Sequence, residues 1–189
     1  MRSRWICALS GLVAGLLAMP AEAGEIVIDG SHSYARFHLD LPMGRELDGR
    51  FPRMQADWLP QADGRWRVSV WLPADAAQIR GRPRYTRIMR GDMFFDSERH
   101  PHIKFLSDPF EIGMLSRGGA LAGVLTMRGV AQRESLRLAP STCRPPVLRN
   151  CVIEVQGEVR RRDYGITPLK GVLGDIVEFR LRIAHGAES

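Results

Sequence analysis

Apolar and polar residues alternate with period two along most of this chain. Ala35, Phe37, Leu39 and Leu41 fall on one side, and Arg36, His38 and Asp40 on the other. Trp66, Val68, Val70 and Leu72 oppose Arg65, Arg67, Ser69 and Trp71, while Ile103 and Phe105 are offset from His102 and Lys104. The same rhythm returns at Ile153, Val155, Gly157 and Val159, and again at Val177, Phe179, Leu181 and Ile183. Successive side chains of a strand point to opposite faces, so the pattern predicts strands with one buried and one wet face. Turn signals at Asp29-Gly30, Asp48-Gly49, Asp63-Gly64, Gly118-Gly119 and Gly174-Asp175 divide them. About eight strands result, over 25–29, 34–42, 49–58, 65–73, 102–112, 120–127, 132–139 with 152–161, and 175–184.

Only 75–91 reads as helical, with Ile79, Tyr85, Ile88 and Met89 as its apolar positions. Gly81 and Pro83 interrupt it, which predicts short turns rather than one helix. Phe94 and Phe95 close this segment, and Pro101 leads into the next strand. An aromatic pair at such a junction either fills a core or lines one end of an apolar cavity. Antiparallel strands with one apolar face must bury those faces together, and closing into a barrel also removes exposed sheet edges. The expected fold is therefore all-β: an antiparallel, eight-stranded up-and-down barrel with a short helical insertion. A β-sandwich is the alternative. A barrel of this size is either filled by side chains or holds one ligand.

The chain ends change the picture. Arg2 and Arg4 precede the apolar run from Ile6 to Met19, and Ala21-Glu22-Ala23 supplies a small-x-small pattern. These predict an export signal over 1–23, cleaved after Ala23, and a single mature domain over 24–189 in the periplasm. The apolar run is short for a membrane span. Of the three cysteines, Cys7 lies in the leader, and Cys143 and Cys151 remain as an even pair in an oxidising compartment. The formal net charge is +6 with only two lysines, Lys104 and Lys170, so the basic surface is almost all arginine. Such a surface attracts nucleic acid, anionic lipid headgroups or acidic partners. Export argues against nucleic acid. The single basic run, Arg160-Arg161-Arg162, reads as a solvated strand end.

Several short motifs align in a definite order. They are Ile28-Asp29-x-x-His32-Ser33, Gly49-Arg50-Phe51, Phe94-Phe95 and Pro101-x-x-x-Phe105-x-Ser107. Gly123 to Val130 (GVLTMRGV), Arg162-Asp163-Tyr164-Gly165-Ile166 and Gly174-Asp175-x-Val177 follow. In this order the chain resembles the YceI-like family of secreted polyisoprenoid-binding proteins, over essentially all of 24–189. The resemblance implies an extended, lipocalin-like barrel whose apolar interior holds a polyisoprenoid chain such as that of an isoprenoid quinone, with no covalent chemistry and no cofactor. Strand parity and the resemblance together place Phe37, Leu39, Val68, Val70, Phe94, Phe95, Phe105, Leu125, Val155, Phe179 and Leu181 on the cavity wall. The expected partners are a long-chain lipid and, transiently, a membrane surface; the oligomeric state is left open. Three features depart from the family pattern, one of them the hairpin that carries Cys143 and Cys151. Thr86 and Ile88-Met89 stand where an Asp and a His-Leu pair are usual, and Met93 separates Asp92 from the aromatic pair.

Other candidate groups admit plainer readings. Ser31-His32-Ser33 lacks a nucleophile elbow and an orienting acid, so turn formation explains it better than catalysis. His100 and His102 are two residues apart with no third ligand nearby, and read as surface histidines. Arg82, Arg84, Arg87 and Arg90 either hold a headgroup at the cavity mouth or form a solvated face. Trp66 should line the cavity and Trp71 point outward; Trp58 fits either the cavity or the core. There is no phosphate-binding loop, dinucleotide fingerprint, His-Glu-x-x-His or EF-hand loop. The enzymatic alternative is a small cavity-based catalyst acting on a lipid headgroup. A third reading is an envelope protein-interaction module without ligand.

Overall fold

Residues 24–25, 32–144, 151–169 and 171–185 are described by the structure, a computed structural model. The expected leader with its cleavage point, residues 26–31, 145–150 and 186–189, and Lys170 lie outside the described residues. Eleven strands form one antiparallel sheet. In chain order they are β1 (Gly24–Glu25), β2 (Tyr34–Leu41), β3 (Arg45–Phe51), β4 (Gln55–Pro60), β5 (Trp66–Pro73) and β6 (Gln78–Ile79). Then come β7 (His102–Ser107), β8 (Gly119–Met127), β9 (Val130–Leu138), β10 (Cys151–Arg160) and β11 (Ile176–His185). Their spatial order is β1-β4-β5-β7-β8-β9-β10-β11-β2-β3-β6. Helices α1 (Pro83–Arg90) and α2 (Met114–Arg117) are short.

The all-β, barrel-like architecture is the expected one, but the strands are cut differently. The single strand expected over 49–58 is two, because Pro52 has no N–H for the ladder and the chain turns there between β3 and β4. The segments 132–139 and 152–161 are separate strands, β9 and β10. The strand from 102 stops at Ser107; beyond it Phe110 makes only an isolated bridge to Trp66, and α2 follows. Consecutive β3 and β4 do not pair among the described residues, so the sheet curls without closing. The edge strand β6 is only two residues long, and short edges of this kind discourage pairing with other chains.

Asp48-Gly49 is not a turn. Gly49 sits mid-strand in β3, directly opposite Phe37 of β2. A Cβ there would lie 1.9 Å from the Phe37 ring, so the ring lies flat across a glycine. Phe179 of β11 lies in the same way over Gly157 of β10, whose added Cβ would meet the ring at 3.1 Å. The 75–91 segment is divided as expected, into a 3-10 turn at Ala74–Ala76, β6 and α1, and Pro83 begins α1 at its first turn, where a missing N–H costs nothing. Phe94 and Phe95 follow α1, and Phe95 N donates to Met89 O (2.9 Å) in its last turn.

Inward residues form two apolar clusters. One groups Trp58, Phe110, Leu115, Leu121, Leu138 and Ile153 with their neighbours at one end of the sheet. The other gathers Phe37, Phe51, Ile79, Met89, Met127 and Tyr164 toward the opposite end. Leu72, Leu125, Phe179 and Leu181 pack against both clusters and are only partly buried. The interior is thus not one filled core; its middle has side chains that stay accessible.

Cys143 and Cys151 form a disulfide with Cα atoms 5.2 Å apart, and both sulfurs' residues are buried in the first cluster. Closing so short a loop removes entropy from the unfolded chain worth roughly 2.5 kcal/mol. Replacing both cysteines by serine should lower the melting temperature by roughly 5–10 °C. An unchanged thermal melt, compared with wild type under oxidising conditions, would refute that estimate.

Candidate functional site

A cavity of about 360 Å³ runs through the curled sheet between the two clusters. All nine longer strands contribute to its wall. Its inner end is closed by buried Trp58, Phe110, Leu115, Leu121, Leu136 and Ile153. Its outer end is rimmed by residues that line it and are yet exposed: Tyr85, Ile88, Leu169 and Val172. The cavity is therefore blind at one end and open at the other.

All eleven wall residues expected from strand parity and resemblance border this cavity: Phe37, Leu39, Val68, Val70, Phe94, Phe95, Phe105, Leu125, Val155, Phe179 and Leu181. Near the mouth Phe95 meets Phe37 edge-on with ring centroids 6.4 Å apart and Phe51 at 5.8 Å. The tryptophans divide differently from expectation. Trp58, not Trp66, reaches the cavity, while Trp66 stacks edge-on against it at 6.2 Å and seals the blind end from behind. Trp71 points outward as expected; Lys104 Nζ lies 3.6 Å over its ring and His102 packs on its edge.

Among the described lining residues there is no carboxylate, imidazole, thiol or aliphatic hydroxyl; the polar members are arginines and Tyr85. Arg161 is the one that sequence reasoning misplaced. It is not a solvated strand end but 4 % exposed, at the base of the 165–174 loop. Its Nε donates to Gly174 O (2.9 Å), its Nη1 to Ile166 O (2.9 Å) and Pro168 O (2.8 Å), and its Nη2 to Leu173 O (3.2 Å). One guanidinium thus gathers four carbonyls of one loop. Its neighbour Arg162 is exposed and pairs with Asp175 at 2.6 Å. Period-two parity continued past Val155 and Val159 separates these adjacent arginines, placing Arg161 inward and Arg162 outward, and the turn Arg161–Tyr164 holds them so. Tyr164, fully buried, donates to Glu134 Oε1 at 2.6 Å, and burial with that carboxylate pushes its hydroxyl pKa far up.

The arginines near α1 split likewise. Arg82 lines the mouth, Arg84 and Arg87 are exposed, and Arg90 is committed to Ala77 O (2.9 Å). Thr86 accepts from Ile79 N at 2.9 Å and so fastens α1 to β6. Met93 is about half exposed. Ser33 Oγ accepts from Ala184 N (2.9 Å) and contacts Ala184 O (3.2 Å), a strand-end role. His100 and His102 are engaged separately, His100 3.9 Å from Asp96 and His102 against Trp71. Among the described residues one group could hold an ion, His38, Glu46 and Asp48 on the outer face. There the hydrogen bond to Asp48 (3.0 Å) raises the His38 pKa.

A curled antiparallel sheet around a blind, apolar, arginine-rimmed cavity defines a cavity-bearing β fold built to enclose something. The chain belongs to the YceI-like domain family, whose model matches residues 27–185. Solved structures agree on the fold. BcnA of Burkholderia cenocepacia superposes with a TM-score of 0.69 at 14% identity, covering 82% of this chain and 98% of that one. A polyisoprenoid binding domain from Saccharophagus degradans gives 0.62 at 13% identity, covering 87% and 99%. The YceI protein of Campylobacter jejuni gives 0.55 at 16%, covering 74% and 85%. No curated protein matches the chain significantly.

Proposed function

We propose that this protein is an exported, non-catalytic carrier that holds a polyisoprenoid chain, such as the tail of an isoprenoid quinone, in its cavity. The observation that carries the reading is the two-cluster interior, with a blind apolar cavity where a filled barrel would have a continuous core. A hydrocarbon tail needs apolar wall and few polar contacts, because burying each methylene contributes about 0.8 kcal/mol. The eleven wall residues named above supply that surface. The Saccharophagus degradans domain is described as polyisoprenoid binding, which supports the same ligand class. The disulfide is compatible with export to the periplasm. Among the described lining residues there is no acid, imidazole or thiol, so the cavity offers more to a hydrocarbon than to proton transfer.

The test is direct. The protein is purified natively from its exporting host, extracted with organic solvent, and the extract analysed by mass spectrometry. One isoprenoid series in near-stoichiometric amount is expected. A preparation that is folded but empty, or filled with unbranched fatty acids alone, would overturn the proposal.

A further inference from the structure

The cavity mouth has an outward face as well as an inward one. Three separate segments present exposed apolar side chains there. The turn between β2 and β3 carries Met43, 88% exposed; α1 carries Tyr85 and Ile88; the 169–172 turn carries Leu169 and Val172. The first and third segments are tied together, since Gly174 N donates to Asp40 O at 3.0 Å. Leu41 and Arg45, which flank Met43, line the cavity, as do Tyr85, Ile88, Leu169 and Val172. The exposed residues therefore encircle one opening.

Two of them are held out by unusual backbone. Met43 (φ 62°) and Leu169 (φ 58°) occupy the left-handed region, which disfavours residues other than glycine, asparagine and aspartate. An isolated exposed apolar residue needs no explanation, but a ring of them around a cavity mouth marks a contact surface. Arginines stand among them: Arg45 and Arg82 at the lining, Arg84 and Arg87 on exposed positions of α1. Acids lie close by as well: Asp40 and Glu46 form the next register pair down from Leu41 and Arg45, His38 contacts Asp40 at 3.4 Å, Asp175 pairs with Arg162, and exposed Asp92 follows α1.

We infer that this rim docks on an anionic lipid bilayer, with the apolar side chains entering the interface and the arginines meeting lipid phosphates. Apolar residues interleaved with guanidinium groups match both layers of such a surface: acyl chains below, anionic headgroups at the boundary. Docking in this orientation sets the open end of the cavity against the hydrocarbon, so that a tail passes between membrane and protein without crossing water. The inference deepens the carrier reading and rests on it for its purpose, but the docking is measured independently.

The experiment is co-sedimentation of the full chain with vesicles of phosphatidylglycerol and phosphatidylethanolamine, against vesicles of phosphatidylcholine alone. Wild type should pellet with the anionic vesicles at low salt, and several-fold less with the neutral ones or at high salt. Met43→Asp should reduce the pelleted fraction several-fold without disturbing the fold, since Met43 is exposed and aspartate tolerates its backbone. Arg84→Glu with Arg87→Glu should do the same. Wild type that stays in the supernatant, pellets equally with neutral vesicles, or loses nothing in these variants overturns the docking. So does a gel-filtration shift showing that Met43→Asp breaks a dimer while vesicle binding persists. Lipid content of the same preparation separates the two readings. A lipid-filled protein that ignores vesicles sinks the docking alone, whereas an empty protein that binds them sinks the carrier alone.

Discussion

Phe95→Asp should yield a folded protein that has lost its lipid. Phe95 lines the mouth half of the cavity and its ring lies against Phe37 and Phe51. Phe95 is partly buried against apolar neighbours, and a carboxylate there would draw water into the wall where the proposed tail lies. The ring's own contacts are worth about 0.5–1.5 kcal/mol for each aromatic pair, a modest fraction of what holds the sheet together. Retained lipid per mole of protein should therefore fall by at least about tenfold, while circular dichroism keeps its β signature. Phe95→Leu, which preserves the wall, should keep its ligand. A Phe95→Asp protein extracted with the wild-type amount of lipid would remove this residue from the binding site.

The largest loss of stability is expected at Arg161. Truncating it to methionine leaves the carbonyls of Ile166, Pro168, Leu173 and Gly174 without their shared donor inside a loop built around it. Hydrogen bonds to a charged group contribute about 1.5–3 kcal/mol each, and orphaned buried acceptors add a desolvation cost. A total near 3–5 kcal/mol is reasonable for a network of this kind, or a melting temperature lower by roughly 10 °C. Arg161→Lys should not rescue it, because an ammonium offers three donors at one point where the guanidinium reaches in several directions. Arg162→Ala, one residue on, removes an exposed ion pair and should cost no more than about 1 kcal/mol. Equal melting of the two variants would show that the buried arginine does not organise the loop.

Much of this architecture is legible in period-two alternation, because one buried face per strand is a local property that repeats without reference to the rest of the fold. The wall residues follow from the same parity: Val68 and Val70, or Phe179 and Leu181, could be assigned inward from their own strands alone. What could not be read locally was set by partners distant in sequence. Gly49 has the look of a turn after Asp48, and only the ring of Phe37 across the ladder explains it. Pro83 resembles a helix breaker until its place at the first turn of α1 is seen. Trp66 shares parity with Val68 but lies at the strand's end, where Trp58 from β4 takes the inner position. Arg161 continues the inward parity of Val159, but the four carbonyls that occupy it belong to a loop whose path the sequence does not show.

The width of the cavity, finally, is governed by atoms that are missing. Phe37 and Phe179 are neighbours across β2 and β11, and each leans on a glycine of its other neighbouring strand, Gly49 or Gly157. Two large rings are thereby stowed in the thickness of the wall instead of the lumen. Aromatic surface is thereby added to the wall at little cost in bore, which suits the proposed carriage of a branched chain. On the carrier reading, a gauge of this kind is tuned in steps of one methyl group at Gly49 and Gly157, well inside the mouth, so the girth of a guest and the chemistry of its polar end would be selected separately.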